Sequence, residues 1–158
     1  VHGDFNQLIS NHLSGKGCIE CGYLKGGSDG IERFSKDPER ANSPCELYLV
    51  DVLGFLKIGI AVNVYLRDQL FGEVYYNRAA KRACVWCVEQ KLLIESQYAQ
   101  VQNLPEELID WNGYQELREP HYFEVESLCK YMDQELDKCL KIGWKAYAKE
   151  HFILESTY

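Results

Sequence analysis

The sequence predicts an α+β fold: a small mixed or antiparallel sheet that opens with a β-hairpin, flanked by helices. Three observations carry this. Residues 47–60 hold two apolar runs, "LYLVDV" and "FLKIGI", separated by Leu53-Gly54, and such a pair permits the positive φ of a tight reversal. Residues 78–100, "RAAKRACVWCVEQKLLIESQYAQ", read as one long, largely buried helix. Further on, Val125, Leu128, Cys129, Met132, Leu136, Cys139 and Leu140 recur at helical spacing and predict a C-terminal helix. At 158 residues there is room for one ordinary domain with a core and a small appendage.

Taken in order, residues 1–30 are rich in Gly, Asn, His and Cys, poor in long apolar runs, and need help to hold a fold. Residues 31–45 read as a polar linker ending at Ser43-Pro44. Strands follow at about 47–52 and 55–60, and the domain they open runs over 46–158. Asn63 is placed to cap a short helix with Leu66 and Leu70 facing inward and Arg67 beside them. "EVYYN" (73–77) suits a third strand before the long helix. Loop and short elements fill the stretch up to the C-terminal helix of residues 124–152.

Composition narrows the function. With 46% hydrophobic and 26% charged residues, the chain is that of a soluble globular protein, and no apolar stretch approaches the roughly 20 residues that span a bilayer. The net charge of −7 is uneven. Residues 1–45 carry six acids and five bases, 46–103 six of each, and 104–158 twelve acids and six bases. A nucleic-acid partner is thereby weakened but not excluded, because the first two thirds are nearly neutral. Seven cysteines, an odd number, and an opening "VHGDFNQ" without a leader pattern suggest reduced thiols in a cytoplasmic setting, some of them metal ligands. The missing initiator Met makes a processed chain or a fragment the expectation.

Two charged residues stand out against their surroundings. Glu89 has Val85, Trp86, Leu92 and Leu93 as its helical neighbours, so it sits on the face that the helix should bury. An unpaired carboxylate there costs several kcal/mol, and its two explanations are a structural salt bridge or service to a metal or a proton. Lys57, between Leu56 and Ile58, is either the solvent-facing residue of a strand or a group aimed into a site beside Tyr48.

These pieces together resemble the GIY-YIG nuclease superfamily over roughly residues 46–120. "ELY" (46–48) is similar to the first motif and "KIG" (57–59) to the second; Arg67 follows eight residues after Gly59, and Glu89 lies on the long helix. Glu46 stands where the family has Gly, and Lys57 where it has Tyr, which looks similar to a phage-associated branch with a Lys-Ile-Gly motif. "GYQE" (113–116) resembles a Gly-x-x-Glu element of that branch, and the family's His after the Arg is not evident.

The resemblance implies a phage or homing-type endonuclease of the host cytoplasm that hydrolyses double-stranded DNA with Mg²⁺. Tyr48, Lys57, Arg67 and Glu89 would be its catalytic residues, converging on one concave surface. In the chemistry of phosphodiester hydrolysis, Glu89 suits a Mg²⁺ ligand and Arg67 a fork onto phosphate oxygens. Tyr48 and Lys57 suit orienting or deprotonating the water. A binding module for nucleic acid or protein, on the same scaffold and with lapsed activity, is the alternative.

The stretch "VHGDFNQLISNHLSGKGCIECG" resembles the zinc-ribbon-like segments of phage and homing endonucleases. His2, Cys18 and Cys21 match three Zn²⁺ ligands of that pattern; the fourth, a Cys, would precede Val1, so either His12 substitutes for it or the metal is lost. Cys84 and Cys87 repeat the C-x-x-C spacing inside the buried helix, where small thiols more often fill core.

Overall fold

The computed structural model describes residues 29–152. They form an α+β domain in which a four-stranded antiparallel sheet, ordered β3-β1-β2-β4, is covered by five helices. The elements are α1 (Ile31–Lys36), α2 (Pro38–Asn42), β1 (Pro44–Val52), β2 (Phe55–Ala61), β3 (Phe71–Lys81), α3 (Arg82–Glu95), β4 (Leu117–Arg118), α4 (Val125–Ile142) and α5 (Trp144–His151).

The hairpin falls where the sequence places it. β1 and β2 pair from Glu46↔Ala61 to Val52↔Phe55, and both residues of the turn take positive φ, +52° at Leu53 and +89° at Gly54. That is the backbone twist that two-residue hairpin turns need. Strand alternation then divides the core in two. Leu47, Leu49, Leu56 and Ile58 pack on one face against α3, α4 and α5. Tyr48, Val50 and Val52 pack on the other, against Val64, Val101, Leu108 and Leu117.

Four expectations need correction. The stretch 31–45 is no linker: it forms α1, α2 and the start of β1, because Phe34, 1% exposed, packs edge-on against Trp86 and Trp144 at 5.8 and 5.9 Å. Asp29 clamps it down, accepting from Arg40 Nε at 2.7 Å and Arg82 Nε at 2.9 Å. The long helix starts later than expected, since Arg78, Ala79, Ala80 and Lys81 continue β3 by pairing with Leu47, Glu46, Cys45 and Pro44. Helix-favouring composition there yields to the partner strand. Leu66 does not face inward but is 83% exposed, since the Asn63-capped element is a single 3-10 turn, Val64–Leu66, that buries Val64 instead. The C-terminal helix is broken at Gly143, whose φ of +86° ends α4 and turns the chain into α5.

Candidate functional site

Tyr48 and Gly59 are directly paired across β1 and β2. The Tyr48 ring lies so close over Gly59 that a Cβ there would meet the hydroxyl at 2.5 Å and Cζ at 2.6 Å. Gly59 is thus the seat of the tyrosine, the reason its position on β2 has no side chain. Among the described residues, the Tyr48 hydroxyl is the buried side-chain polar atom left without a hydrogen-bond partner. Burial pushes its pKa well above the ordinary tyrosine value, so it stays a neutral hydroxyl. Gly59→Ala should displace the ring, cost roughly 1–3 kcal/mol by overpacking, and take with it any function that needs Tyr48. Thermal melting and near-ultraviolet circular dichroism would show both; an unchanged melt would mean that the ring has room to move.

Lys57 leaves the sheet on the same face as Tyr48. It is not a solvent lysine: it is 2% exposed. Its ammonium is ion-paired with Glu116 and lies 5.3 Å from the Trp111 ring centroid. Burial pulls its pKa down, and the Glu89 carboxylate opposes the fall.

Glu89 is 5% exposed. Its carboxylate accepts one hydrogen bond, from Gln90 Nε2 at 3.0 Å, and forms no ion pair with a described residue. Of the two explanations for a carboxylate here, the salt bridge is therefore not found within the described chain. Burial raises its pKa from 4.5 to about 7, against the pull of Lys57 and then of Arg67. Arg67 is exposed and makes no side-chain hydrogen bond or ion pair with a described residue. Its positive charge acts on Tyr48, Lys57 and Glu89 alike.

The four residues expected to converge are carried by two layers of the fold. Tyr48 and Lys57 belong to one face of the sheet, whereas the helix that carries Glu89 packs on the other. Alternation on β2 is the physical reason, since Ile58 faces α3 and Lys57 must then face away. What joins the four is charge. Lys57 is the largest charge influence on Glu89, and Arg67 acts on both. The outer edge of β2 pairs with β4 at Leu56 and Lys57, and among the described residues Ile58–Ala61 of that edge have no strand beside them.

Sequence reasoning did not single out three residues that organise the site. Arg118 is 3% exposed and pins the stretch before it to the end of α3, donating to Ser96 Oγ at 2.8 Å, Leu93 O at 3.0 Å and Gln115 O at 2.8 Å. Trp111 covers Lys57 and donates Nε1–H to Asp68 at 2.8 Å. Asp68, next to Arg67, is held below the usual carboxylate range by hydrogen bonds from Leu70 N–H and Trp111. A two-residue strand and isolated polar contacts leave no periodic signal that would reveal them.

His2, His12, Cys18 and Cys21 lie outside the described residues. Cys84 and Cys87 are buried core thiols. No group of three or more His, Cys, Asp or Glu placed to hold a metal ion occurs among the described residues. No helix among them is long and apolar enough to cross a membrane. No protein-family model, curated protein or solved structure matches the chain.

Proposed function

We propose that the chain is a metal-dependent endonuclease that hydrolyses DNA phosphodiester bonds, on a GIY-YIG-like scaffold of the phage or homing type. The observation that carries this reading is Glu89: a buried carboxylate without an ion-pair partner among the described residues, raised in pKa, and within the electrostatic reach of Lys57 and of the exposed Arg67, which forms no ion pair with a described residue. A carboxylate kept at that cost suits a hard divalent cation, and Mg²⁺ typically takes one or two carboxylates and fills its shell with water and substrate phosphate. Glu89 would hold the ion, which supplies charge stabilisation at the scissile phosphate.

The remaining work falls to the chain's own groups. Arg67 forks onto two non-bridging phosphate oxygens and fixes the backbone. The Tyr48 hydroxyl, neutral and without a partner, orients the attacking water. Lys57, whose ammonium is weakened by burial, offers its amine form to take the water's proton once Glu116 releases it. The water oxygen then bonds to phosphorus as the bond to the leaving deoxyribose oxygen breaks, and that oxygen takes a proton from solvent water.

Supercoiled plasmid should become nicked or linear with added Mg²⁺ and stay supercoiled with the metal chelated. Plasmid left supercoiled in both conditions, at protein in excess, overturns the endonuclease reading. One observation favours the second reading, a binding module with lapsed activity: Lys57 is sealed against Glu116 and lies on the other face of the sheet from the layer of Glu89. That protein would retain duplex DNA in a mobility shift and leave it uncut.

A further inference from the structure

The turn between β2 and β3 exposes more apolar surface than a connection needs. Val62 is 71% exposed, Tyr65 71% and Leu66 83%, all within five positions and directly before Arg67. Single exposed apolar residues are ordinary, but a contiguous group with a polar rim marks an interaction surface. This group is also held firmly. Val64, between them, is 1% exposed and plugs the turn into the core. Its N–H donates to Glu46 Oε2 at 2.7 Å, and Asn63 Oδ1 accepts from Tyr65 N–H at 3.0 Å. Just past Arg67, Asp68 takes the Leu70 N–H at 2.9 Å and the Trp111 indole at 2.8 Å. The turn is braced at both ends, and its apolar side chains are presented rather than stowed.

We propose that this turn is a DNA-groove probe: Tyr65 and Leu66, with Val62 behind them, lay apolar surface against sugars and base edges of a duplex while Arg67 holds the adjoining phosphate. The inference rests on the nuclease reading and deepens it by assigning the surface that seats the substrate. Charge selects this occupant. An exposed guanidinium that forms no ion pair with a described residue follows the apolar tip and suits a phosphodiester backbone. Residues 46–103 carry equal numbers of acids and bases, and six of the seven excess acids lie in 104–158. Apolar and aromatic wedges beside a phosphate-binding arginine are the means by which proteins grip and bend a duplex through its minor groove.

The test uses the full chain carrying Glu89→Gln, so that DNA is bound without being cut, and follows the fluorescence anisotropy of a short fluorescein-labelled duplex. Adding Tyr65→Ser and Leu66→Ser should weaken binding roughly tenfold or more with the melting temperature unchanged, since both side chains lie in solvent. The slope of log affinity against log salt should stay the same, because no phosphate contact is lost. Arg67→Ala should instead reduce that slope by about one. A Ser/Ser variant that binds as tightly as its parent overturns the inference and leaves the nuclease reading standing. A parent that does not bind duplex DNA overturns both. A Ser/Ser variant that turns a dimer into a monomer in sedimentation, with DNA affinity unchanged, assigns the patch to self-association and overturns the inference.

Discussion

Glu89→Gln should abolish cleavage and stabilise the protein at the same time. The substitution keeps the shape and lets the new side-chain oxygen accept from Gln90, but removes the charge that would hold the metal. Cleavage should fall roughly 10²–10⁴-fold, the range expected for losing a central catalytic group. The stability effect has a definite pH window. Folding raises the Glu89 pKa from 4.5 to about 7, so the folded state binds this proton more tightly than the unfolded one. Its contribution is therefore favourable below about 4.5 and is lost as pH rises toward 7; above that the ionised group costs about 3 kcal/mol. Wild type and Glu89→Gln should melt together near pH 4.5 and separate as pH rises, the variant becoming the more stable by as much as roughly 10 °C. A variant that melts far lower at pH 8 with cleavage intact would identify Glu89 as one half of a structural pair.

Lys57→Met should separate catalysis from packing on the other side of the sheet. Methionine fills the space of the lysine stem beneath Trp111 and removes a buried charge. Glu116, whose side chain is 34% exposed, can rehydrate when its partner goes. Stability should therefore change little, within about 1 kcal/mol. Cleavage should drop by roughly 10²-fold or more if Lys57 handles the proton of the attacking water. Glu89 loses its strongest favourable charge neighbour, so the pH window of its stability effect should move upward. Paired melting curves across pH and plasmid nicking rates read both effects. Normal nicking by a variant that melts well below wild type would make Lys57 a structural lysine.

The parts of the fold that follow a local rule were legible in the sequence. The hairpin showed because two apolar runs flank a pair able to take positive φ, and α4 showed because its apolar residues keep helical spacing. Glu89 stood out for the same reason, a charged residue breaking an otherwise apolar stripe. What escaped was set by distant partners. "RAAK" has a helical composition and becomes strand only because β1 lies beside it. Phe34 makes two helices out of an apparent linker only because Trp86 and Trp144 are waiting for it. For Lys57, the sequence left two directions open, and alternation together with Trp111 and Glu116 decides between them. Its placement opposite the helix of Glu89 depends on which face of the sheet α3 covers, which no residue pattern encodes.

The two sides of β2 differ in how far along the chain their partners lie. β1 is joined to β2 by a two-residue turn and closes locally, whereas the Lys57–Glu116 contact spans 59 positions. Local pairs form early in folding, and long closures wait until the entropy of bringing their ends together is offset. β4 meets β2 at only two register pairs, and the stretch before it is built of single 3-10 turns, so this is a weakly supported segment of low local cooperativity. The cover over Lys57 is thus expected to assemble after the hairpin and to open by local unfolding before it. Exposure of this lysine is governed by the stability of a small segment and can occur many times for each unfolding of the whole domain.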